Sequence, residues 1–315
     1  ELITFTNLSE LVTHLRSLDK KFILLFAYNS TGKTRLSMEF KEAGKKDITV
    51  NLFNQNGKRV FTQEGDNVFV NDRLPDTLYF NAFTEDLFNW DNDLQNDTRR
   101  VLKLNKVSRF FNGLQELEME NKIRPLLHRY TNFNFLINYE EGTVKFIREE
   151  IVDGLAVNVE NIKISRGEEN IFIWCFFLAI AQLAIDGQEA YQWVKYIYID
   201  DPVSSLDDNN TIAMAHHLAT TLKAEKSTIK SIISTHHALF FNVLHNELKD
   251  KFPKYFMSKS VNGYTLRNTN DSPFFYHISL IQELQIAINS GNLFTYHYNF
   301  LRIVLEKAAN FHGFN

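Results

Sequence analysis

Residues 31–34 read Thr-Gly-Lys-Thr and stand between a continuous apolar run, Phe22–Phe26, and a segment with helical spacing that extends to Phe40. The first pattern is typical of a buried parallel strand and the second of a helix. At such a junction, backbone N–H groups at the start of the helix can surround a phosphate. The sequence therefore predicts a P-loop, with Lys33 at the β- and γ-phosphates and the Thr34 hydroxyl on Mg²⁺. The predicted nucleotide contacts of this loop are Asn29, Ser30, Thr31, Gly32, Lys33, Thr34 and Arg35.

Two adjacent carboxylates, Asp200 and Asp201, follow the apolar run Tyr196–Ile199. At the end of a buried strand, Asp200 is predicted to hold Mg²⁺ through water. Asp201 is predicted to orient or deprotonate the water that attacks the γ-phosphate. The alternative is a solvated strand end with two surface acids. Their position at the end of a predicted strand that follows the P-loop in the chain favours the nucleotide site.

Three further segments resemble motifs of the ABC ATPases. They are Ile164-Ser165-Arg166-Gly167-Glu168-Glu169-Asn170, similar to the signature, Val203-Ser204-Ser205-Leu206-Asp207, similar to the D-loop, and Ser234-Thr235-His236-His237, similar to the switch-histidine loop. The resemblance implies that His236 senses the γ-phosphate. It also implies nucleotide contacts for Ser165, Arg166, Gly167, Glu168, Ser205 and Asp207. The simpler alternatives are a structural histidine and a helix capped by Ser165 and Glu168.

The order of the five motifs is that of ABC ATPases, with differences at single positions. Ala27 and Ser30 stand where glycines are usual, and Asp201 stands where most of the class has glutamate. In ABC folds the signature lies far from its own P-loop. The resemblance therefore implies a head-to-tail homodimer in which each site is completed by the partner copy, and it leaves further pairing of dimers open.

The remaining patterns predict an α/β fold, with an ABC-type ATPase domain over 1–270 and the start of a mostly α-helical nuclease domain over 271–315. A helical insertion is predicted over about 85–131. The other predicted elements are a hairpin at Asn56-Gly57, a hairpin within 133–164, a helix over 168–186, a helix over 209–223, a strand over 229–234, a hairpin over 254–268, and helices over 275–312 broken at Ser290-Gly291. The apolar run 171–185 is predicted to be a buried helix, since it is too short to span a bilayer comfortably.

Sequence segments along nearly the whole chain resemble the anticodon nucleases of the PrrC type, RNA-cutting toxins with an ABC ATPase N-terminal half. The resembling segments are 27–40 (AYNSTGKTRLSMEF), 79–86 (YFNAFTED), 165–170 (SRGEEN) and 199–210 (IDDPVSSLDDNN). ABC ATPases of DNA repair and chromosome organisation, the alternative class, insert long coiled coils between P-loop and signature. Here the 131 residues from 34 through 164 carry no sustained heptads. A transporter subunit is also disfavoured, since the chain continues past the histidine with a helical segment rich in Phe and Tyr.

This resemblance implies a nuclease site made of Arg-x-x-x-Glu and a later histidine. Arg302 and Glu306 match the first two, and His312 comes too early for the third, so we expect the chain to continue beyond Asn315. In such a site a base removes the 2′-OH proton, and the oxygen attacks the adjacent phosphate to leave a 2′,3′-cyclic phosphate. Glu306 suits proton transfer and Arg302 suits the phosphorane charge. A surface ion pair at i,i+4 is the alternative, although Arg before Glu is the less favourable order.

Two sequence features bear on how RNA would be held. Nine of the 45 residues 271–315 are Phe or Tyr, which could stack bases or, more commonly, form a core. Arg99, Lys103, Lys106 and Arg109 are predicted to form one stripe on a helix, either a basic RNA contact or a solvated face.

Composition limits the remaining possibilities. The net charge of −4 and the sequence pI near 6.2 do not indicate a globally basic nucleic-acid binder. A lone cysteine, Cys175, and the lack of a basic, apolar N-terminal segment predict a cytoplasmic protein without a membrane partner. The family resemblance further implies ATP or GTP with Mg²⁺ as cofactors and allows for a regulatory nucleotide such as dTTP. It also implies the tRNA anticodon loop as substrate and a type I restriction-modification complex as silencer.

Overall fold

The computed structural model describes most of the chain outside a few loops and one long stretch before β4. The described residues are 2–47, 73–81, 88–91, 101–105, 117–152, 155–160, 162–203, 206–224, 227–248, 252–261, 263–269 and 276–311. The strands are β1 Leu2–Phe5, β2 Phe22–Phe26, β3 Lys46–Asp47, β4 Arg73–Leu74, β5 Thr77–Asn81, β6 Phe88–Asp91, β7 Val101–Leu104, β8 Phe133–Asn138, β9 Thr143–Val152, β10 Leu155–Glu160, β11 Tyr196–Asp200, β12 Lys230–Thr235, β13 Lys254–Ser260 and β14 Gly263–Asn268. The helices are α1 Leu8–Ser17, α2 Lys33–Ala43, α3 Met119–Leu127, α4 Arg166–Ile185, α5 Asp208–Leu222, α6 Ala238–Leu248, α7 Tyr276–Ser290 and α8 Thr295–Phe311.

Among the described residues, seven strands form a sheet in the order β1-β14-β13-β2-β12-β11-β5. The strands from β13 to β5 run parallel, while β1, β14 and β13 pair antiparallel. In register, Thr235 of β12 lies opposite Phe26 of β2, and Asp200 of β11 lies opposite Ser234. The carboxyl ends of β2, β12 and β11 therefore meet at one edge, where ligands bind in open α/β sheets.

Helix α4 lies between this sheet and a second sheet made of β6 to β10. On one side Phe80 of β5 contacts Phe177, with ring centroids 4.7 Å apart. On the other side Phe135 and Phe146 contact Phe172, at 5.0 and 5.1 Å. A helix covered on both sides must be apolar all round, and this explains the continuous apolar run of α4.

The predicted buried helix over 171–185 is therefore confirmed. By length and composition, Arg166–Ile185 is the one helix found among the described residues that could cross a membrane. Its most apolar 18-residue window is 72% buried inside the protein.

The predicted helical insertion over about 85–131 is wrong at 88–91 and 101–104, while 85–87, 92–100 and 106–116 lie outside the described residues. Strands β6 and β7 pair antiparallel there, and only α3 is helical among the residues of this range that the structure describes. Val101 and Leu102 are fully buried, so strand pairing and burial decide the conformation of a short apolar run that fits either element. Lys103 consequently lies on a strand and not on a basic helical stripe, while Arg99, Lys106 and Arg109 lie outside the described residues.

Most other predicted elements are confirmed within one to three residues. The hairpins β8–β9 and β13–β14 form, as do the strands and helices that carry the motifs. The break between α7 and α8 falls at Ser290-Gly291, where Gly291 has φ 71°, a value that favours glycine. The Asn56-Gly57 hairpin lies outside the described residues, and the domain boundary at 270 stays a prediction.

The contacts of α4 give a stability prediction. Phe172→Ala removes a fully buried ring between two sheets and should cost about 3–5 kcal/mol of unfolding free energy. Ile212→Ala, on the exposed side of α5 with 43% of the residue accessible, is the control and should cost less than about 1 kcal/mol. Urea unfolding followed by circular dichroism measures both. Equal losses in the two variants would contradict the central position of α4.

Candidate nucleotide-binding site

The predicted P-loop connects β2 to α2 through two left-handed residues. Ser30 has φ 67° and Gly32 has φ 98°, and the Leu36 N–H donates to the Gly32 carbonyl to begin the helix. Ala27 is fully buried and its N–H donates to the Thr235 carbonyl at 3.0 Å. Ala27 is not among the residues with positive φ. Alanine therefore fits in place of the usual glycine, whereas Ser30 adopts a conformation that non-glycine residues avoid.

Lys33 is the buried cation of the site, with 6% of the residue accessible. Its ammonium donates to the carbonyls of Ala27 and Tyr28 at 3.0 and 3.1 Å and lies 3.6 Å from the Asp201 carboxylate. Burial lowers the pKa of Lys33, while the charges of Asp201 and Asp200 act in the opposite direction. The ammonium is thus held by exchangeable oxygen ligands, which phosphate oxygens can replace.

The first carboxylate, Asp200, is surrounded by hydroxyl groups. Ser234 donates to Oδ1 at 2.7 Å and Ser37 donates to Oδ2 at 3.1 Å. Burial raises the pKa of Asp200, although hydrogen bonds from Ser234, Thr34 and Ser37 act in the opposite direction. A buried carboxylate beside the Thr34 hydroxyl suits a divalent cation, which would restore the interaction lost with water.

The predicted Mg²⁺ ligands Thr34 and Asp200 are therefore brought together. Among the described residues, no group of three or more His, Cys, Asp or Glu side chains could hold a metal. This is compatible with Mg²⁺ at a nucleotide site, because Mg²⁺ there takes one or two protein ligands together with phosphate oxygens and water.

The second carboxylate, Asp201, contacts His236 and Lys33 instead. Its Oδ2 lies 2.5 Å from Nδ1 of His236, and its Oδ1 accepts from the His236 N–H and from the Thr235 hydroxyl at 3.2 Å. Burial acts to raise its pKa, but the hydrogen bonds and charges of His236 and Lys33 outweigh burial, so the pKa of Asp201 is lowered. The two predicted hydrolytic residues, Asp201 and His236, are thus in direct contact.

The signature segment begins α4 with the predicted cap. The Ser165 hydroxyl accepts from the Glu168 N–H, and Glu168 Oε2 accepts from the Ser165 N–H at 2.7 Å. Glu168 Oε1 also accepts from Arg148 of β9 at 2.7 Å, a contact that the sequence did not predict. Gly167 is half-buried, while Ser165 and Arg166 are exposed and open to a partner.

The signature and the D-loop share a polar cavity of about 600 Å³. Ser165, Gly167 and Glu168 line it together with Asp207 and Asn210. Asp207 caps α5, since its carboxylate accepts from the Asn210 N–H at 2.9 Å; Ser205 lies outside the described residues. None of the described residues that line this cavity belongs to the P-loop. The head-to-tail homodimer stays a prediction.

One contact behind this cavity was not predicted from the sequence. His217 of α5 lies between Arg129, 2.5 Å from Nε2, and Tyr130, 2.5 Å from Nδ1. Because an arginine can only donate, Nε2 accepts and the ring is neutral. Burial first, and then the charges of Arg129 and His216, lower the pKa of His217 to about 4. This contact ties the D-loop helix to the wall of the cavity.

The predicted nuclease residues lie on α8. Nε of Arg302 is 3.5 Å from Oε1 of Glu306, and the two side chains are 69% and 61% accessible. In the described part of the chain they pair with each other and not with the nucleotide motifs. Their exposure is compatible both with a surface ion pair and with a site that meets a large substrate; His312 lies outside the described residues.

Comparisons with known proteins give the family context. A family model described as an AAA domain matches residues 112–312. The anticodon nuclease of Escherichia coli is 35% identical over 314 residues, covering 93% of this chain and 76% of the relative.

Solved structures with similar folds are more distant. The structure of cbiO1 from Clostridium perfringens, part of the ABC transporter complex cbiONQ, has a TM-score of 0.39 at 12% identity and covers 86% of this chain and 85% of that chain. The SMC head domain from Thermotoga maritima has a TM-score of 0.38 at 12% identity, covering 79% and 90%. A Smc head domain with a coiled coil and joint, derived from Pyrococcus yayanosii, has a TM-score of 0.36 at 13% identity, and this chain spans only 30% of its length. Similarities at this level concern the fold alone.

The opposite pKa shifts of the two carboxylates predict opposite stability effects. Asp200→Asn should raise the thermal unfolding midpoint at pH 7 without nucleotide or divalent metal, because it removes a carboxylate whose ionised form is disfavoured by burial. Asp201→Asn should lower the midpoint, because it removes a carboxylate whose ionised form is stabilised by His236 and Lys33.

The pH dependence follows from the same shifts. The contribution of Asp201 is full above 3.8, the ordinary pKa of an aspartate, and is lost as the pH falls through its lower folded pKa. The destabilisation by Asp200 is full above its raised folded pKa and disappears as the pH falls towards 3.8. Scanning calorimetry of the wild type and both variants checks this. Midpoint shifts of the same sign would contradict the assigned environments.

Proposed function

This chain belongs to the anticodon nuclease family, and from that membership we infer that it is an endoribonuclease of the tRNA anticodon loop gated by nucleotide binding and hydrolysis. The observation that carries the proposal is the similarity to an anticodon nuclease, which covers 93% of this chain. The ABC-type ATPase fold with a second, helical segment at its C-terminal end fits such a two-activity protein.

Nucleotide hydrolysis is supported by the contacts of five side chains at one edge of the sheet. Lys33 would bind the β- and γ-phosphates of ATP or GTP in place of the Ala27 and Tyr28 carbonyls. Bound Mg²⁺ would neutralise phosphate charge, and Thr34 and Asp200 would hold it. Asp201, ionised and oriented by His236, would orient the attacking water and accept its proton. His236 would sense the γ-phosphate and transmit its presence to Asp201 through the hydrogen bond between them.

RNA cleavage is assigned to the exposed side of α8. Arg302 would bind the scissile phosphate and stabilise the charge on its oxygens as the 2′-oxygen attacks. Glu306 and a histidine would move the protons: one takes the 2′-OH proton and the other protonates the 5′-oxygen as its bond to phosphorus breaks. One product would keep a 2′,3′-cyclic phosphate and the other a 5′-OH. This chemistry uses side chains alone, without a metal. Exposed aromatic residues of 276–300, such as Phe294 at 47%, offer faces on which anticodon bases could stack.

The biological setting is proposed from the family resemblance. The protein would act in the cytoplasm as an anti-phage suicide toxin, silenced by a type I restriction-modification complex. Nucleotide hydrolysis, with a regulatory nucleotide such as dTTP, would control its release. The proposed active form is a head-to-tail homodimer, in which Ser165 and Gly167 of one copy meet the nucleotide on Lys33 of the other.

Mixed dimers test the composite site. Lys33→Ala removes the phosphate-binding ammonium and Ser165→Arg blocks the signature face, so each homodimer should hydrolyse no nucleotide. A heterodimer of the two retains one site with an intact P-loop and an intact signature, and mixing should restore part of the activity. Release of phosphate from ATP and GTP is measured, and native mass spectrometry follows heterodimer formation. Heterodimers without any turnover would contradict the head-to-tail arrangement.

Separate loss of the two activities tests the nuclease assignment. In the full-length protein, Arg302→Ala and Glu306→Ala should each abolish tRNA cleavage and leave nucleotide hydrolysis unchanged. Glu42→Ala is the control, since it breaks a comparable surface pair with Lys45 and should change neither activity. Cellular tRNAs are probed for breaks in the anticodon loop with cyclic-phosphate ends.

A structural ion pair predicts a different result for these variants. Stability would fall by roughly 0.3–0.5 kcal/mol, and cleavage would persist. If the wild type, released from any inhibitor, cuts no tRNA but binds or processes DNA ends, an SMC-like ABC ATPase acting on DNA replaces the nuclease.

A further inference from the structure

A cavity of about 310 Å³ lies between the P-loop, β13 and the two C-terminal helices. Residues 28–31 of the P-loop form one wall and residues 256 and 258–261 form the second. Helix α7 contributes Glu283, and the start of α8 contributes Phe294, Tyr296 and Phe300. The cavity therefore joins the loop of the proposed phosphate site to the helix that carries the proposed nuclease residues.

The walls combine flat apolar faces with a few polar groups. The five aromatic side chains are Tyr28, Phe256, Phe294, Tyr296 and Phe300. Among the described lining residues, the charged groups are the Lys259 ammonium and the Glu283 carboxylate, which can accept hydrogen bonds from ring or exocyclic N–H groups. The volume lies at the lower end of the range for small-molecule sites. Such walls suit a planar heterocycle whose edge carries N–H groups.

The order of the strands sets the direction in which a nucleotide would lie. Asp200, Asp201 and His236 follow β11 and β12, which lie on one side of β2, whereas β13 lies on the other side. A nucleotide whose γ-phosphate meets the carboxylates must point its base away from them. A nucleotide that extends in this direction passes Asn29, Ser30 and Thr31 and reaches β13 and the cavity.

We propose that this cavity binds the base of the nucleotide whose phosphates the P-loop holds. The proposal rests on the proposed nucleotide binding and adds the base subsite and its walls. Tyr296 and Phe294 lie at the accessible end of the aromatic wall, with 47% of Phe294 exposed. The base stacks on this wall while Glu283 accepts from its N–H edge. An unpaired RNA base could use the same faces, but the shared P-loop wall favours the nucleotide.

The subsite links nucleotide binding to α8. The Tyr28 and Phe300 rings are 4.0 Å apart between centroids, and Tyr296 is 5.2 Å from Phe300. Arg302, two residues after Phe300, points about 200° away around the helix. A bound base therefore fixes the position of α8 from one face, while Arg302 and Glu306 stay exposed on the other.

The test compares two tyrosines one helical half-turn apart on α8. Tyr296 lines the cavity, and Tyr298, 64% exposed, does not. With the full-length protein and Mg²⁺, the dissociation constants of ATP, GTP and inorganic tripolyphosphate are measured by calorimetry for the wild type, Tyr296→Ala, Tyr296→Phe and Tyr298→Ala. Tyr296→Ala should weaken the better-bound nucleotide roughly tenfold, as expected for the loss of one base–aromatic stack. Tripolyphosphate binding should not change, and Tyr296→Phe and Tyr298→Ala should bind nucleotide as the wild type does.

Each of the other outcomes contradicts the base subsite, and each one points to a different explanation. Unchanged nucleotide affinity in Tyr296→Ala, with hydrolysis intact, overturns the subsite alone. An equal loss for nucleotide and tripolyphosphate, or a lowered unfolding midpoint, means that Tyr296 only supports the fold. A loss of anticodon stem-loop binding without a loss of nucleotide binding assigns the cavity to RNA. A wild type that binds neither nucleotide nor tripolyphosphate overturns the proposed ATPase as well.

Discussion

Two adjacent carboxylates held out of water at the end of β11 impose the constraint on which the sheet edge depends. Ionised groups in this position must be compensated, and neighbouring elements supply the partners. Asp200 accepts hydrogen bonds from hydroxyl groups, but burial outweighs them and its pKa rises. Asp201 receives His236 and Lys33, so its pKa falls. Because those partners come from α2, the P-loop and the end of β12, the order β11–β12–β2 is the arrangement that keeps both acids at one edge.

The sequence predicted this edge well because its strands are buried on both faces and read as continuous apolar runs that end at polar motifs. It did not predict the hydrogen bonds that Ser37 and Ser234 donate to Asp200. Hydroxyl residues are common, and the Ser37–Asp200 contact joins positions 163 residues apart. It was wrong at β7, where a short run of apolar residues carries no period that distinguishes a strand from a helix. Pairing with β6 and β9, a tertiary effect, decided that segment.

The two departures of the P-loop from the usual glycines have different physical meanings. At Ala27 the methyl group packs within a buried apolar cluster, so alanine in place of glycine has no evident cost in stability. Ser30 at φ 67° and Asp201 at φ 51° are two of the three non-glycine residues with positive φ in the described part of the chain, and both lie at the site. Such conformations cost of order 1–3 kcal/mol each and persist where the surroundings hold them. The strain is therefore concentrated where phosphate would bind.

The free energy of the Arg302–Glu306 ion pair indicates where control of the proposed nuclease must lie. The Arg302–Glu306 pair is mostly exposed, and such pairs contribute only about 0–1 kcal/mol, so a substrate phosphate can take Arg302 from Glu306 at little cost. The pair itself therefore cannot keep the nuclease silent. The position of α8 can differ between states. The Phe300 ring of α8 packs against the ring of Tyr28, which lies two residues before the strained Ser30 of the P-loop. A change of loop conformation on phosphate binding would reach α8 through that aromatic contact, and the exposed residues would follow as part of a rigid helix.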